Sequence, residues 1–148
     1  APGCFDGLSA RLVEEAGFEA AYLSGGAVAR SMALPDIGLV TMSEIIERAE
    51  QVVAAVKIPI IADADTGYGG ALNVRHTVRG YEHAGVAAIQ IEDQAYPKKC
   101  GHTSGHRLVP TDEMVTKIKV ALDSRDDADF LVRLAPPPEP PPRWPPPP

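Results

Sequence analysis

The sequence predicts an α/β fold in which helices alternate with parallel strands, followed by a proline-rich, non-globular tail. Three features predict it: short apolar runs between helical stretches, a helix–glycine–strand junction that occurs twice, and ten prolines among residues 136–148. Of the 148 residues, 45% are hydrophobic and 23% are charged, which is the balance of an ordinary globular protein. The tail therefore differs in kind from the rest of the chain.

Four apolar runs have the length and composition of strands that are buried on both faces, as in a parallel sheet. A further strand is expected if the chain is already extended before Phe5. The four predicted strands cover residues 20–23, 58–62, 87–91 and 130–132.

A helical stretch precedes each of these strands. Thr41 and Glu44 form a T-x-x-E capping box, and a broad apolar face follows it. Thr111 is the predicted N-cap of the last helix, because Asp112 and Glu113 suit the positive end of a helix dipole. The predicted helices cover residues 9–16, 44–56, 74–84 and 111–122, and another helix is expected to start at 24–26.

The junction from helix to strand is repeated in sequence. The two copies are E-A-G-F-E-A-A-Y-L-S at 15–24 and H-A-G-V-A-A-I-Q-I-E at 83–92, each with a glycine that stops the helix. Such alternation predicts right-handed crossovers between parallel strands, as in a TIM barrel or a doubly wound sheet. A whole barrel has eight strands and about 250 residues, so this chain would supply roughly half of one.

Composition excludes several classes of function. The chain has 14 Lys and Arg against 20 Asp and Glu, a net charge of −6, and no basic cluster that would bind nucleic acid. It contains neither the ~18 consecutive apolar residues of a membrane span nor a start typical of a signal peptide. Cys4 and Cys100 are too few for a disulfide framework. We therefore expect a cytoplasmic protein with no membrane partner.

Acidic side chains follow two of the predicted strands. Asp63 and Asp65 come after the second strand, and Glu92 comes after the third. The carboxyl ends of parallel strands meet at one edge, where a divalent cation, above all Mg²⁺, would offset the repulsion between these groups. The alternative is that the aspartates cap the next helix and Glu92 pairs with a lysine.

The first strand is followed by Ser24, Gly25 and Gly26, which present consecutive backbone amides at the start of a helix. Such amides suit a carboxylate or a phosphonate, although a plain tight turn has the same sequence. The later glycines Gly67, Gly69 and Gly70 lack a following G-K-[ST], which excludes a P-loop.

A long loop at 93–109 contains Lys98, Lys99, Cys100 and His102. Cationic neighbours favour the thiolate, so Cys100 is expected to act as a proton donor or a nucleophile in a loop that closes over the site. A zinc site lacks the required four ligands. A surface cysteine without function is the other alternative.

Together these motifs resemble the isocitrate lyase/phosphoenolpyruvate mutase superfamily. The resemblance runs from Pro2 to Val132 and rests on P-G-C-F-D-G-L-S-A-R, Y-L-S-G-G, L-P-D, D-A-D-T-G-Y-G, I-E-D-Q and K-K-C-G-H, in that order. The last motif is similar to that of the carbon–carbon lyases of the 2-methylisocitrate lyase type. It is also similar to that of carboxyphosphonoenolpyruvate phosphonomutases.

The resemblance implies a partial (β/α)8 TIM-type barrel, roughly its first half, in a protein that assembles as a homotetramer. It implies Mg²⁺, or Mn²⁺ in its place, and a small carboxylate as substrate. The implied metal shell is Asp36, Asp63, Asp65 and Glu92; the implied substrate pocket is Tyr22, Ser24, Gly25 and Gly26; the implied catalytic residues are Cys100 as general acid with Lys98 and His102 beside it.

The leading hypothesis is a Mg²⁺-dependent lyase that cleaves a small 2-hydroxy di- or tricarboxylate to a 2-oxo acid and a dicarboxylate. The alternative enzymes are a carboxyphosphonoenolpyruvate phosphonomutase and an oxaloacetate decarboxylase. A third hypothesis is that the protein is not an enzyme but an inactive fragment, which acts as a binding protein through a proline-rich ligand for SH3 or WW domains.

The C-terminal end of the chain departs from the family pattern. The family has A-R-T-D-A after the D-F-x-[VI] strand, whereas here Asp129-Phe130-Leu131-Val132 continues into R-L-A and then prolines. We therefore expect a barrel domain at 1–132, a tail at 133–148 that is disordered or results from a shifted reading frame, and residues missing before Ala1. Half a barrel exposes a strand edge, so this chain alone is expected to be poorly soluble or domain-swapped, and inactive.

Overall fold

Five parallel strands form one sheet within residues 1–135, the part of the chain that the computed structural model describes. Each strand pairs with the next one along the chain, in the order β1-β2-β3-β4-β5. A doubly wound sheet reverses its strand order part-way, whereas a barrel adds strands in chain order. The order therefore identifies the first strands of a barrel. The strands are β1 (Gly3–Cys4), β2 (Ala21–Leu23), β3 (Ile60–Asp63), β4 (Ala88–Glu92) and β5 (Leu131–Ala135).

A helix follows every strand from β1 to β4, and a short extra helix follows β2. Neighbouring long helices pack against one another in chain order, α1 on α3, α3 on α4 and α4 on α5. None of the described helices has the length and apolarity that a membrane crossing requires. The helices are α1 (Gly7–Glu15), α2 (Gly25–Ser31), α3 (Met42–Ala55), α4 (Ala71–His83) and α5 (Thr111–Asp123).

The two repeated junctions have the same backbone conformation. Gly17 follows α1 with φ 83° and Gly85 follows α4 with φ 81°, both in the left-handed region that favours glycine. Each glycine turns the chain from a helix into a buried strand. The predicted junctions are thus confirmed.

The four predicted helices begin within three residues of their expected starts, but the capping residue of α5 differs from the prediction. Thr41 caps α3 as predicted, because its hydroxyl accepts from Glu44 N at 3.4 Å and Glu44 Oε2 accepts from Thr41 N at 2.7 Å. The prediction that Thr111 caps α5 was wrong. Pro110 is the capping residue, since its carbonyl already accepts from Met114 N at 3.1 Å and Thr111 lies in the first turn.

The core lies between the sheet and the outer helices. Leu23, Ile60, Ile89 and Ile91 are fully buried, and Cys4 at the end of β1 has no exposed surface. The last strand runs past Val132 to residue 135, because its register with β4 continues through five residue pairs. The remainder of the predicted tail, 136–148, lies outside the described residues, so the domain boundary stays a prediction.

Candidate functional site

A cavity of about 250 Å³ opens at the carboxyl ends of the strands. Residues of β2, β3 and β4 meet there with residues of the segments that follow β2 and β4, although they lie far apart in the sequence. Nine of the eleven predicted site residues line it: Tyr22, Ser24, Gly26, Asp36, Asp63, Glu92, Lys98, Cys100 and His102. The other two, Gly25 and Asp65, line an adjoining small pocket that shares Asp36, Asp63 and Lys98.

The Ser24–Gly26 segment is the start of α2 rather than an isolated turn. Ser24 caps the helix by accepting from Ala27 N at 3.3 Å, and Gly25 N donates to Asp63 Oδ2 at 3.1 Å. A Cβ atom on Gly25 would lie 2.9 Å from that carboxylate oxygen, and one on Gly26 would lie 2.5 Å from Asp36 Oδ2. Both glycines therefore let carboxylates approach the backbone closely.

The carboxylates of Asp63, Asp65 and Glu92 are largely withdrawn from solvent. Burial, with the charge of Asp63 as a further cause, raises the pKa of Asp65 to about 6 and that of Glu92 to about 7. Burial also raises the pKa of Asp63, against the hydrogen bonds from Asp65 N and Gly25 N that favour its charged form. The three groups thus carry unfavourable electrostatic energy that a cation would relieve.

Lys98 supplies a positive charge at this position. Its Nζ lies 2.6 Å from Asp36 Oδ1 and 3.5 Å from Asp65 Oδ2, and its side chain is 5% exposed. Burial alone lowers the pKa of Lys98, but the facing carboxylates outweigh it and raise that pKa above its ordinary value. Within residues 1–135, the Lys98 ammonium thus pairs with the carboxylates of Asp36 and Asp65 and not with the Cys100 thiol.

The donor set fits Mg²⁺ in chemistry and charge, since hard carboxylate oxygens are the ligands that this ion prefers. Within residues 1–135, no three Asp, Glu, His or Cys side chains converge closely enough to hold a cation directly. Mg²⁺ commonly keeps several waters and binds proteins through one or two carboxylates. The residues present therefore fit an ion that is held partly through water.

Cys100 also lines the cavity, in contact with two nitrogen-bearing side chains. Its Sγ is 3.8 Å from His102 Nδ1 and 3.6 Å from Arg30 Nη2. His106 Nε2 lies 3.1 Å from the Cys100 carbonyl oxygen, a contact within the loop at 93–109 that helps to hold Cys100 in place. Unlike Cys4, Cys100 is partly exposed to the cavity.

Three polar residues of the site were not predicted from the sequence. Arg30 lines the cavity; Gln90 also lines it and donates to Tyr22 Oη at 3.0 Å. Gln94 donates to Glu92 Oε2 at 2.8 Å and to the Lys99 carbonyl at 2.9 Å, which ties the loop to the acidic cluster. A polar residue inside an apolar strand was the available signal for Gln90. Nothing local in the sequence marks Arg30.

Comparison with known proteins gives a consistent family. Residues 1–134 match the protein family described as phosphoenolpyruvate phosphomutase. The chain is 51% identical over 133 residues to 2,3-dimethylmalate lyase of Eubacterium barkeri, covering 89% of this chain and 46% of that protein. It is 50% identical over 133 residues to 2-methylisocitrate lyase of Aeropyrum pernix, covering 90% of this chain and 43% of that protein.

A solved structure with bound ligands is also similar. Phosphonopyruvate hydrolase in complex with oxalate and Mg²⁺ matches with a TM-score of 0.80 and 37% identity, over 90% of this chain and 46% of that chain. Such structures are TIM barrels of one superfamily, and this chain matches about half of each. The partial TIM barrel predicted from the sequence is therefore confirmed. The chain spans less than half the length of the relatives that it matches.

Proposed function

Because this chain belongs to the phosphoenolpyruvate phosphomutase family, we propose that it forms the cavity of a carbon–carbon lyase of the 2-methylisocitrate lyase type. The substrate class is a small 2-hydroxy di- or tricarboxylate. The observation that carries the proposal is that an acidic cluster and the Cys100 thiol face one cavity of about 250 Å³. Similarity to two lyases at 50% identity or more supports it.

Asp36, Asp63, Asp65 and Glu92 are the residues that would hold Mg²⁺ in this proposal. The bound ion would supply positive charge that polarises the oxygens of the 2-oxo-acid half. The chain's own groups orient that half: Tyr22 Oη lies at the cavity wall, and α2 begins there with the small residues Gly25 and Gly26. Gly25 N and Ala27 N already donate to Asp63 and Ser24, which leaves Gly26 N to donate to the substrate carboxylate.

Cys100 acts as the proton donor in the proposed reaction. The bond between the hydroxyl carbon and its neighbour breaks, and the hydroxyl carbon becomes an oxo carbon as its O–H proton is lost. The electron pair left on the neighbouring carbon takes the proton of the Cys100 thiol. The thiolate, beside Arg30 and His102, regains through solvent the proton that the hydroxyl released, so no net proton is consumed.

Binding by the 148-residue chain tests the proposal. Isothermal titration calorimetry in the presence of Mg²⁺ should detect binding of pyruvate to the chain. Succinate should then bind to the chain that already holds pyruvate. Neither should bind when the cation is chelated. Incubation with 2-methylisocitrate, 2,3-dimethylmalate, oxaloacetate and phosphonopyruvate, with NMR detection of products, tests the expectation that this chain alone is inactive; any product formed would identify the bond that is cleaved. Absence of Mg²⁺-dependent pyruvate binding would refute the proposed site.

Phosphonate chemistry is the second candidate function, and a specific observation favours it. The solved structure of phosphonopyruvate hydrolase is 37% identical to this chain and contains oxalate and Mg²⁺. Binding of phosphonopyruvate at least tenfold tighter than that of pyruvate would favour this alternative. The hypothesis of a proline-rich binding protein concerns residues 133–148, of which 136–148 lie outside the described part. It stays a prediction, as does the homotetramer.

A further inference from the structure

We propose that Arg30 binds the second carboxylate of the substrate, the one on the carbon fragment that receives the proton from Cys100. This inference rests on the proposed function and deepens it. It makes Arg30 a specificity-determining residue that selects substrates in which both halves carry a carboxylate.

Arg30 reaches the cavity from the last turn of α2. Its Nη1 donates to the Gly26 carbonyl at 3.1 Å, and its Nη2 lies 3.6 Å from Cys100 Sγ, across 70 residues of sequence. The first contact fixes the guanidinium against its own helix. The second contact places it beside the sulfur from which the proposed proton leaves.

The guanidinium of Arg30 forms no ion pair among residues 1–135, although Asp36 Oδ2 lies nearby on the other side of the Gly26 Cβ position. The three ion pairs there involve Lys98 with Asp36, Lys98 with Asp65 and Lys117 with Glu113. Lys98, the other permanently charged cation of the cavity wall, is thus already neutralised. Arg30 is exposed, and two of its five N–H groups are engaged, which leaves three to donate to an anion.

The planar guanidinium suits a carboxylate better than a lysine ammonium does, since it can donate two parallel hydrogen bonds. In the proposed reaction the carbon that accepts the proton must lie next to Cys100 Sγ. A carboxylate attached to that carbon then lies within reach of the guanidinium. As the bond breaks, negative charge spreads into this carboxylate, and Arg30 stabilises it where it develops.

The test compares Arg30→Gln with the unsubstituted chain by titration calorimetry, first with pyruvate and then with succinate, both in Mg²⁺. Succinamide, which has the same shape without charge, is the ligand control. Arg75→Gln is the protein control because Arg75 is exposed on α4, away from the cavity. Arg30→Lys keeps the charge but loses the two parallel N–H donors of the guanidinium. It replaces Arg30→Gln as the test variant if Arg30→Gln does not fold.

We expect Arg30→Gln to bind succinate at least tenfold more weakly, pyruvate within twofold of normal, and succinamide unchanged. Arg30→Lys should retain part of the succinate affinity, and Arg75→Gln all of it. Unchanged succinate binding in Arg30→Gln, or an equal loss for pyruvate and succinate, would overturn this inference alone. If the unsubstituted chain fails to bind pyruvate with Mg²⁺, the proposed function fails and the inference fails with it.

Discussion

The Nζ atom of Lys98 lies 2.6 Å from Oδ1 of Asp36, and this buried ion pair joins two loops that are 62 residues apart in the chain. One loop follows α2 and the other follows β4, so the pair closes the acidic side of the cavity. The ammonium is also 3.5 Å from Asp65, in the region where the metal is proposed to bind. Lys98 and a cation would therefore compete for the same carboxylates.

Substitution of Lys98 by Met tests this competition. It leaves buried carboxylates without a counter-charge, so at pH 7.5 the metal-free chain should lose about 3–5 kcal/mol of unfolding free energy. Mg²⁺ should raise the melting temperature of this variant more than that of the unsubstituted chain. Lys119→Met, which removes an exposed lysine of α5, should change neither quantity. A smaller Mg²⁺ effect in Lys98→Met than in the unsubstituted chain would contradict the prediction.

Stability without metal should fall as the pH rises from 4 to 7. Asp65 and Glu92 have folded pKa values of about 6 and about 7, against ordinary values of 3.8 and 4.5. The unfolded chain releases these protons first, so over that range the native state binds more protons and loses stability with increasing pH. Mg²⁺ needs the ionised forms and should stabilise the chain more at pH 7.5 than at pH 5. Thermal melts at both values, with Mg²⁺ or with chelator, measure both effects; a metal-free chain that is more stable at pH 7.5 would refute the assignment.

The two cysteines should differ in reactivity by a large factor. Cys4 is fully buried, and burial raises its pKa to about 11, so its thiol stays protonated and shielded at pH 8. Cys100 is partly exposed to the cavity. Iodoacetamide should modify one thiol quickly, and Cys100→Ser should abolish that fast phase. Pyruvate and succinate with Mg²⁺ should slow it. A fast phase that survives in Cys100→Ser would mean that Cys4 is accessible.

Gly26 should tolerate no side chain. The Cβ atom of Gly26→Ala would lie 2.5 Å from Asp36 Oδ2 and 3.2 Å from Arg30 Nη1, which forces both groups to move. We expect a loss of about 1–3 kcal/mol in stability and weaker binding of pyruvate with Mg²⁺. Gly3→Ala is the matched control, because no heavy atom lies within 4 Å of its added Cβ and Gly3 caps no helix. Similar melting temperatures for the two variants would show that the contact at Gly26 is not restrictive.

The fold was largely predictable because local patterns specify it. Gly17 and Gly85 mark the helix ends, and the apolar runs correspond to β2, β3, β4 and β5 within a few residues. The cap of α5 was assigned to Thr111 instead of Pro110, because a proline, which lacks an N–H, can still offer its carbonyl to the first helical turn. Capping patterns that consider side chains alone miss such a start.

The site was predictable only in part, since its members were found through motifs and not through their contacts. Lys98 and Cys100 were grouped because they are neighbours in sequence, yet Lys98 turns toward Asp36 and Asp65. Arg30 contacts Cys100 across 70 residues. Such a contact depends on where α2 ends and how the loop returns, and no local property of the chain encodes it.

The matching junctions at Gly17 and Gly85 separate the scaffold from the chemistry. Both glycines have nearly the same φ, yet the repeated segment ends with Ser24 in the first copy and with Glu92 in the second. One unit of supersecondary structure thus presents a helix-capping hydroxyl at one position around the barrel and an acid at another. The residue at a strand end can thus change the chemistry of the site without a change in the junction that positions the strand.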